Sequence, residues 1–113
     1  MFVYFIIAGG YVKIGKAVNP QARLKELQVG CPFAMHIYET IDCGTSKGAL
    51  HHERHLHKMF KKQRMRGEWF QWNKAMRAYI AHSKRDMERD ALLAAQYDAF
   101  QYAQYLAALD RAA

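Results

Sequence analysis

At 113 residues, 51% hydrophobic and 13% aromatic, the chain holds enough apolar material for one packed domain and an appended helix, but not for a second core. That composition excludes a disordered chain, no apolar run approaches the roughly 20 residues of a membrane span, and two cysteines are too few for a disulfide framework. The net charge of +7 is uneven: residues 1–83 carry 13 Lys/Arg against 5 Asp/Glu, whereas residues 84–113 carry 4 against 5. A basic domain followed by a neutral helical tail is therefore expected, divided near residue 83. Such a domain either meets a polyanion, nucleic acid being the commonest, or carries a solvated basic surface.

The opening segment is apolar, but no basic stretch precedes it and Gly9-Gly10 ends it, so it reads as a strand and not a signal peptide. Residues 2–7 and 11–15 flank the glycine pair and predict a hairpin, with Ala8 facing Tyr11, Ile6 facing Lys13 and Tyr4 facing Gly15. Asn19 and Pro20 supply a cap and first turn for a helix with Leu24 and Leu27 on its apolar face, closed by Gly30. Residues 35–43 read as a third strand. Thr45 or Ser46 caps a second helix expected to run through about Gln63. Gly67 breaks the chain, 68–72 is short and extended or turn-like, and a further helix is expected from about Asn73. In the tail, Leu92, Ala95, Ala99, Tyr102, Leu106 and Leu109 recur at spacings of three and four. That stripe fits a helix docked on its own domain better than a dimerising coiled coil, with a homodimer or a protein partner held through residues 84–113 as the alternative. The expected fold is α+β: a small antiparallel three-stranded sheet flanked by helices, with a C-terminal amphipathic helix.

The second helix holds the sharpest chemical clue. Ala49, Leu50, Leu56 and Phe60 share one arc, and Glu53 and His57 fall inside it, four residues apart. A carboxylate in an apolar stripe is costly without a cation, a metal or hydrogen bonds, which marks a functional candidate. A buried Glu53 paired with an arginine or with His57 fits the pattern too. The opposite face, with His51, His52, Arg54, His55 and Lys58, suits solvent or a phosphate backbone. These histidines point in different directions, with no cysteine pair near them, which argues against a zinc site. On the hairpin, Tyr4 and Lys13 are diagonal neighbours. An ammonium there lowers the phenol's pKa and favours tyrosinate as a general base, although simple alternation also accommodates Lys13.

These residues form a pattern. Phe2-Val3-Tyr4-Phe5-Ile6, Tyr11-Val12-Lys13-Ile14-Gly15, and Asn19-Pro20 with Arg23-Leu24 resemble the opening of a GIY-YIG nuclease domain. Leu50 to Glu53, Leu56-His57, Phe60 and Gly67-Glu68-Trp69-Phe70 resemble the branch of that superfamily common in bacteriophages and large DNA viruses. The likeness spans about residues 2–80. It implies a DNA endonuclease in which Tyr4, tuned by Lys13, activates water, Arg23 steadies the scissile phosphate and Glu53 holds one Mg²⁺ or Mn²⁺. His57 is a frequent companion on this helix, and Glu68 and Trp69 belong to a closing signature with a structural role. Lys16, Lys25, Arg54, Lys58, Lys61, Lys62, Arg64 and Arg66 would bind the DNA backbone without reading sequence. The expected setting is a cytoplasm, bacterial or phage-infected, that keeps Cys31 and Cys43 reduced. A non-catalytic DNA-binding or regulatory module, or a protein-interaction subunit, would keep the same fold.

Overall fold

The computed structural model describes residues 1–112. Strands β1 (Phe2–Ala8) and β2 (Tyr11–Ala17) lead through helix α1 (Pro20–Gln28) to β3 (Met35–Asp42) and helix α2 (Ser46–Met59). A single 3₁₀ turn, Lys61–Gln63, precedes short strands β4 (Arg64–Arg66) and β5 (Trp69–Gln71), and helix α3 (Lys74–Ala112) completes the chain. All pairings are antiparallel, in the order β3-β1-β2-β5-β4. The architecture is α+β as expected, but the sheet has five strands instead of three. The two extra strands are three residues each, folded about Gly67, too short to show an alternation in sequence.

The first hairpin has the expected register: Tyr4↔Gly15, Ile6↔Lys13 and Ala8↔Tyr11. Every residue of β1 from Val3 to Ala8 is buried, because helices cover both faces of this interior strand. One face holds the core, where Val3, Phe5, Val12, Ile14 and Phe70 meet Leu56 of α2 and Met76 and Ile80 of α3. The other face carries Tyr4, Lys13 and Gly15 and lies beneath α1.

The caps formed as read. Asn19 accepts a hydrogen bond from the Ala22 amide at 3.1 Å, and Thr45 accepts one from Gly48 at 3.0 Å. The second helix stops at Met59 and not at Gln63, since the chain tightens into the 3₁₀ turn before entering β4.

Helix α3 is continuous through residue 83 and carries the molecule to 68 Å along its longest axis. Met76, Ile80, Ser83 and Met87 face the domain. The tail is not docked, contrary to one expectation: Leu92, Tyr102, Leu106 and Leu109 are 59, 63, 44 and 50% exposed. At 100° per residue its apolar stripe lies roughly 100° around the helix from the domain-facing side, and no Gly or Pro folds it back.

Candidate active site

The site forms where β2 runs past the end of β5. Strand β5 pairs with β2 only at Tyr11, Val12 and Lys13, so the next edge groups of β2 need other partners. Ile14 uses both. Its amide donates to the Glu68 carbonyl at 3.0 Å, and its carbonyl accepts from His57 Nε2 at 2.8 Å. One residue thus fastens the tip of the β4–β5 turn and helix α2 to the same point. Gly67, at φ +57°, supplies the left-handed conformation that turns the chain into Glu68.

Beside this anchor lies Gly15. A Cβ there would sit 2.6 Å from Tyr4 Cζ and 3.0 Å from Glu68 Oε2, and would also strike the Tyr4 hydroxyl. The missing side chain is therefore the space in which a phenol and a carboxylate converge. Lys13, on the same face, pairs with Glu68 at 3.3 Å and lies 5.6 Å from the centre of the Trp69 ring.

Glu53 reaches this edge from α2. It is 8% exposed, and its Oε2 is buried without a hydrogen-bond partner. Burial raises its pKa, and the nearby negative charge of Glu68 raises it further, while Lys16 and His57 oppose the shift. Of the two structural partners expected, no arginine among the described residues is hydrogen-bonded to it, and His57 lies near enough to act on its charge but spends Nε2 on Ile14. The partnerless Glu53 oxygen and the second carboxylate, close enough to share a proton with it, concentrate negative charge that a hard cation would offset. Magnesium uses one or two carboxylates and keeps several waters, a demand that Glu53 and Glu68 fit. No group of three or more His, Cys, Asp or Glu suited to a metal occurs among the described residues.

Tyr4 corrects the hairpin argument. Burial pushes its pKa up, the Arg23 guanidinium beside its hydroxyl pulls it down, and Glu68 pushes it up again. The net direction is upward, and its cation is Arg23, because Lys13 is engaged by Glu68. Arg23 is held at the rim by Glu26, 2.9 Å away, so one guanidinium spans α1 and the site.

The structure brings Tyr4, Lys13, Arg23, Glu53 and His57 to one strand edge. His57, with Nε2 committed to Ile14 and its ring 5.1 Å from Phe70, is placed to hold α2 against the sheet. The eight expected phosphate-binding residues, Lys16, Lys25, Arg54, Lys58, Lys61, Lys62, Arg64 and Arg66, are all exposed. The histidine face divides: His55 Nε2 lies 2.8 Å from the Tyr79 hydroxyl, and His52 is half-buried, its Nε2 unpartnered and its pKa lowered by burial. The expectation of a solvated His52 is thus wrong, because the helix turns that flank toward α3. Glu68 was read from sequence as structural, yet its carboxylate lies among the site groups. The signal for it was a carboxylate immediately after a chain-reversing glycine.

The model of the T5orf172 domain matches residues 1–88. The chain belongs to the T5orf172 domain family. This is a nuclease-like domain family, which brings DNA into view as the partner. The T5orf172 match includes every site residue above and ends where α3 leaves the domain. Comparison with curated proteins and with solved structures gives no match. No helix among the described residues is long and apolar enough to cross a membrane.

Proposed function

We propose that this T5orf172 protein is a metal-dependent DNA endonuclease of the GIY-YIG type. The observation that carries the reading is Glu53: a buried carboxylate with one oxygen unpartnered, beside a second carboxylate, a phenol and a guanidinium. Structural carboxylates are usually satisfied, and leaving one uncompensated is a cost that a ligand removes.

Glu53, with Glu68 beside it, would hold Mg²⁺ or Mn²⁺, which when bound supplies Lewis-acid polarisation of a phosphate oxygen. The chain's own groups do the rest. Tyr4, in the tyrosinate form that Arg23 favours, takes the proton from the attacking water and becomes the neutral phenol. Arg23 offsets the charge that develops on the phosphate, a task suited to its planar fork. Lys13 fixes Glu68 through its ion pair, and His57 fixes α2 through Ile14. The exposed lysines and arginines seat the DNA backbone. The tail associates with a second copy of the chain, and the protein works in a cytoplasm.

Supercoiled plasmid incubated with Mg²⁺, with Mn²⁺ and with EDTA tests this. Nicking or linearisation that needs the metal is expected. Intact plasmid under all three conditions, from folded protein that still binds DNA, overturns it. One observation favours a non-catalytic DNA-binding module instead: Tyr4 is 1% exposed with its pKa raised. That module shows salt-sensitive binding with no cleavage in any metal.

A further inference from the structure

On the face of the sheet that carries Tyr4 and Lys13 lies a cavity of about 300 Å³, lined by Ala8, Tyr11, Cys31, Phe33, Met65 and Trp69. Its walls are almost wholly apolar, yet it opens on a basic domain. Tyr11, Phe33 and Met65 are 45, 65 and 56% exposed. Neighbouring the cavity are Lys13, over the Trp69 ring, and Arg66, which pairs in register with Trp69. Tyr11, Lys13 and Gly15 share one face of β2, so cavity, cation and candidate active site follow one another along a single strand.

From this arrangement we propose that the cavity is a nucleobase-binding subsite, which holds one unstacked base of the substrate next to the phosphate at the active site. The inference rests on the endonuclease reading for its orientation. Three features select a base over an apolar peptide. The walls include three aromatic side chains, exposed Tyr11 and Phe33 and partly buried Trp69, and aromatic stacking accepts any base without reading it. The rim is cationic, complementary to a phosphate chain. The cavity also lies on the same face of β2 as the site that would act on that chain. Bases inside a duplex cannot reach such a cavity, so single-stranded, frayed or distorted DNA is preferred over intact duplex.

The chain has two tryptophans, Trp69 in the cavity and Trp72 outside it, so Trp72→Phe leaves Trp69 as the sole reporter. This variant is titrated in EDTA with an eight-nucleotide thymidine oligomer and with an abasic sugar-phosphate chain of equal length. Quenching of Trp69 by the thymidine oligomer and not by the abasic chain is expected. Equal responses, no quenching by a bound oligomer, or no binding at all overturns the subsite. Phe33→Ala, at an exposed loop position, provides a second reading independent of Trp72. Measured by anisotropy, it should weaken the thymidine oligomer roughly 5- to 150-fold and leave the abasic chain unchanged. Equal weakening of both chains also overturns the proposal. Plasmid nicking reports on the endonuclease separately: nicking without quenching removes only the subsite, and quenching without nicking removes only the catalysis.

Discussion

Burial and the nearby Glu68 hold the Glu53 pKa above the ordinary glutamate value, so carrying its charge costs the folded state. For a carboxyl with a raised folded pKa, the folded protein binds the proton more tightly than the unfolded chain. The penalty is therefore absent below the unfolded pKa and develops as pH rises through the folded one. Glu53→Gln should accordingly raise the thermal midpoint at pH 7, with the gain shrinking and disappearing as pH falls to about 4. Mg²⁺ should raise the midpoint of the wild type and not of the variant. Calorimetry at the two pH values, with and without the metal, checks both. A second prediction concerns Tyr4. With its pKa above the phenol's usual value, the cleavage rate should climb with pH from 7 to 9, and Tyr4→Phe should lose about 10²–10⁴-fold. A flat profile in that range contradicts Tyr4 as base. Much of this site was legible at the residue scale. A carboxylate in an apolar helical stripe and a polar pair on a hairpin both stand out by period. The assignment of partners was not legible, because Lys13 chooses Glu68 over Tyr4 through a loop contact 55 positions away in sequence.

Elements set how close these groups come. The hairpin register followed from two glycines and alternation, since a one-residue slip would turn every side chain to the other face. Gly15→Ala is predicted to cost about 1–3 kcal/mol, the usual range for overpacking, because its Cβ meets Tyr4 and Glu68. Chemical denaturation measures that loss. A stability within experimental error of the wild type would mean the two side chains are not packed against this position. The caps of α1 and α2 were readable from Asn19 and Thr45, since a side-chain acceptor before a helix is a local signal. Strand β4 was not, and β5 showed only as a short extended or turn-like stretch. They are three residues long and exist because the edge of β2 offers them a ladder, a tertiary cause with no period of its own.

At the scale of the whole molecule, a compact basic domain carries a long helix whose far half, among the described residues, leaves its apolar side chains exposed. Leu92, Ala95, Ala99, Tyr102, Leu106 and Leu109 follow a strict alternation of three and four, the seam of a coiled coil. Residues 91–113 contain only Asp98, Asp110 and Arg111 as charged groups, so like-charge repulsion does not oppose pairing with another copy. Over about 30 Å of helix, two such stripes bury roughly 1,000 Å², enough for a specific though modest dimer. Sedimentation equilibrium of the full chain should show a dimer, and Leu92→Lys with Leu106→Lys should return a folded monomer. A monomeric wild type at tens of micromolar would assign the stripe to another partner. The stripe was visible in sequence, but its exposure was not, since a helical period states which residues want cover and not what supplies it.

The most direct test of the central claim is the single-turnover rate of plasmid cleavage in Mg²⁺ by wild type and Glu53→Gln, with DNA affinity measured for both. Predicted is a rate at least about 10³-fold lower in the variant, with affinity within a few-fold, because the exposed cations that seat DNA are untouched. Equal rates would show that the buried carboxylate holds no catalytic metal and would contradict the assignment.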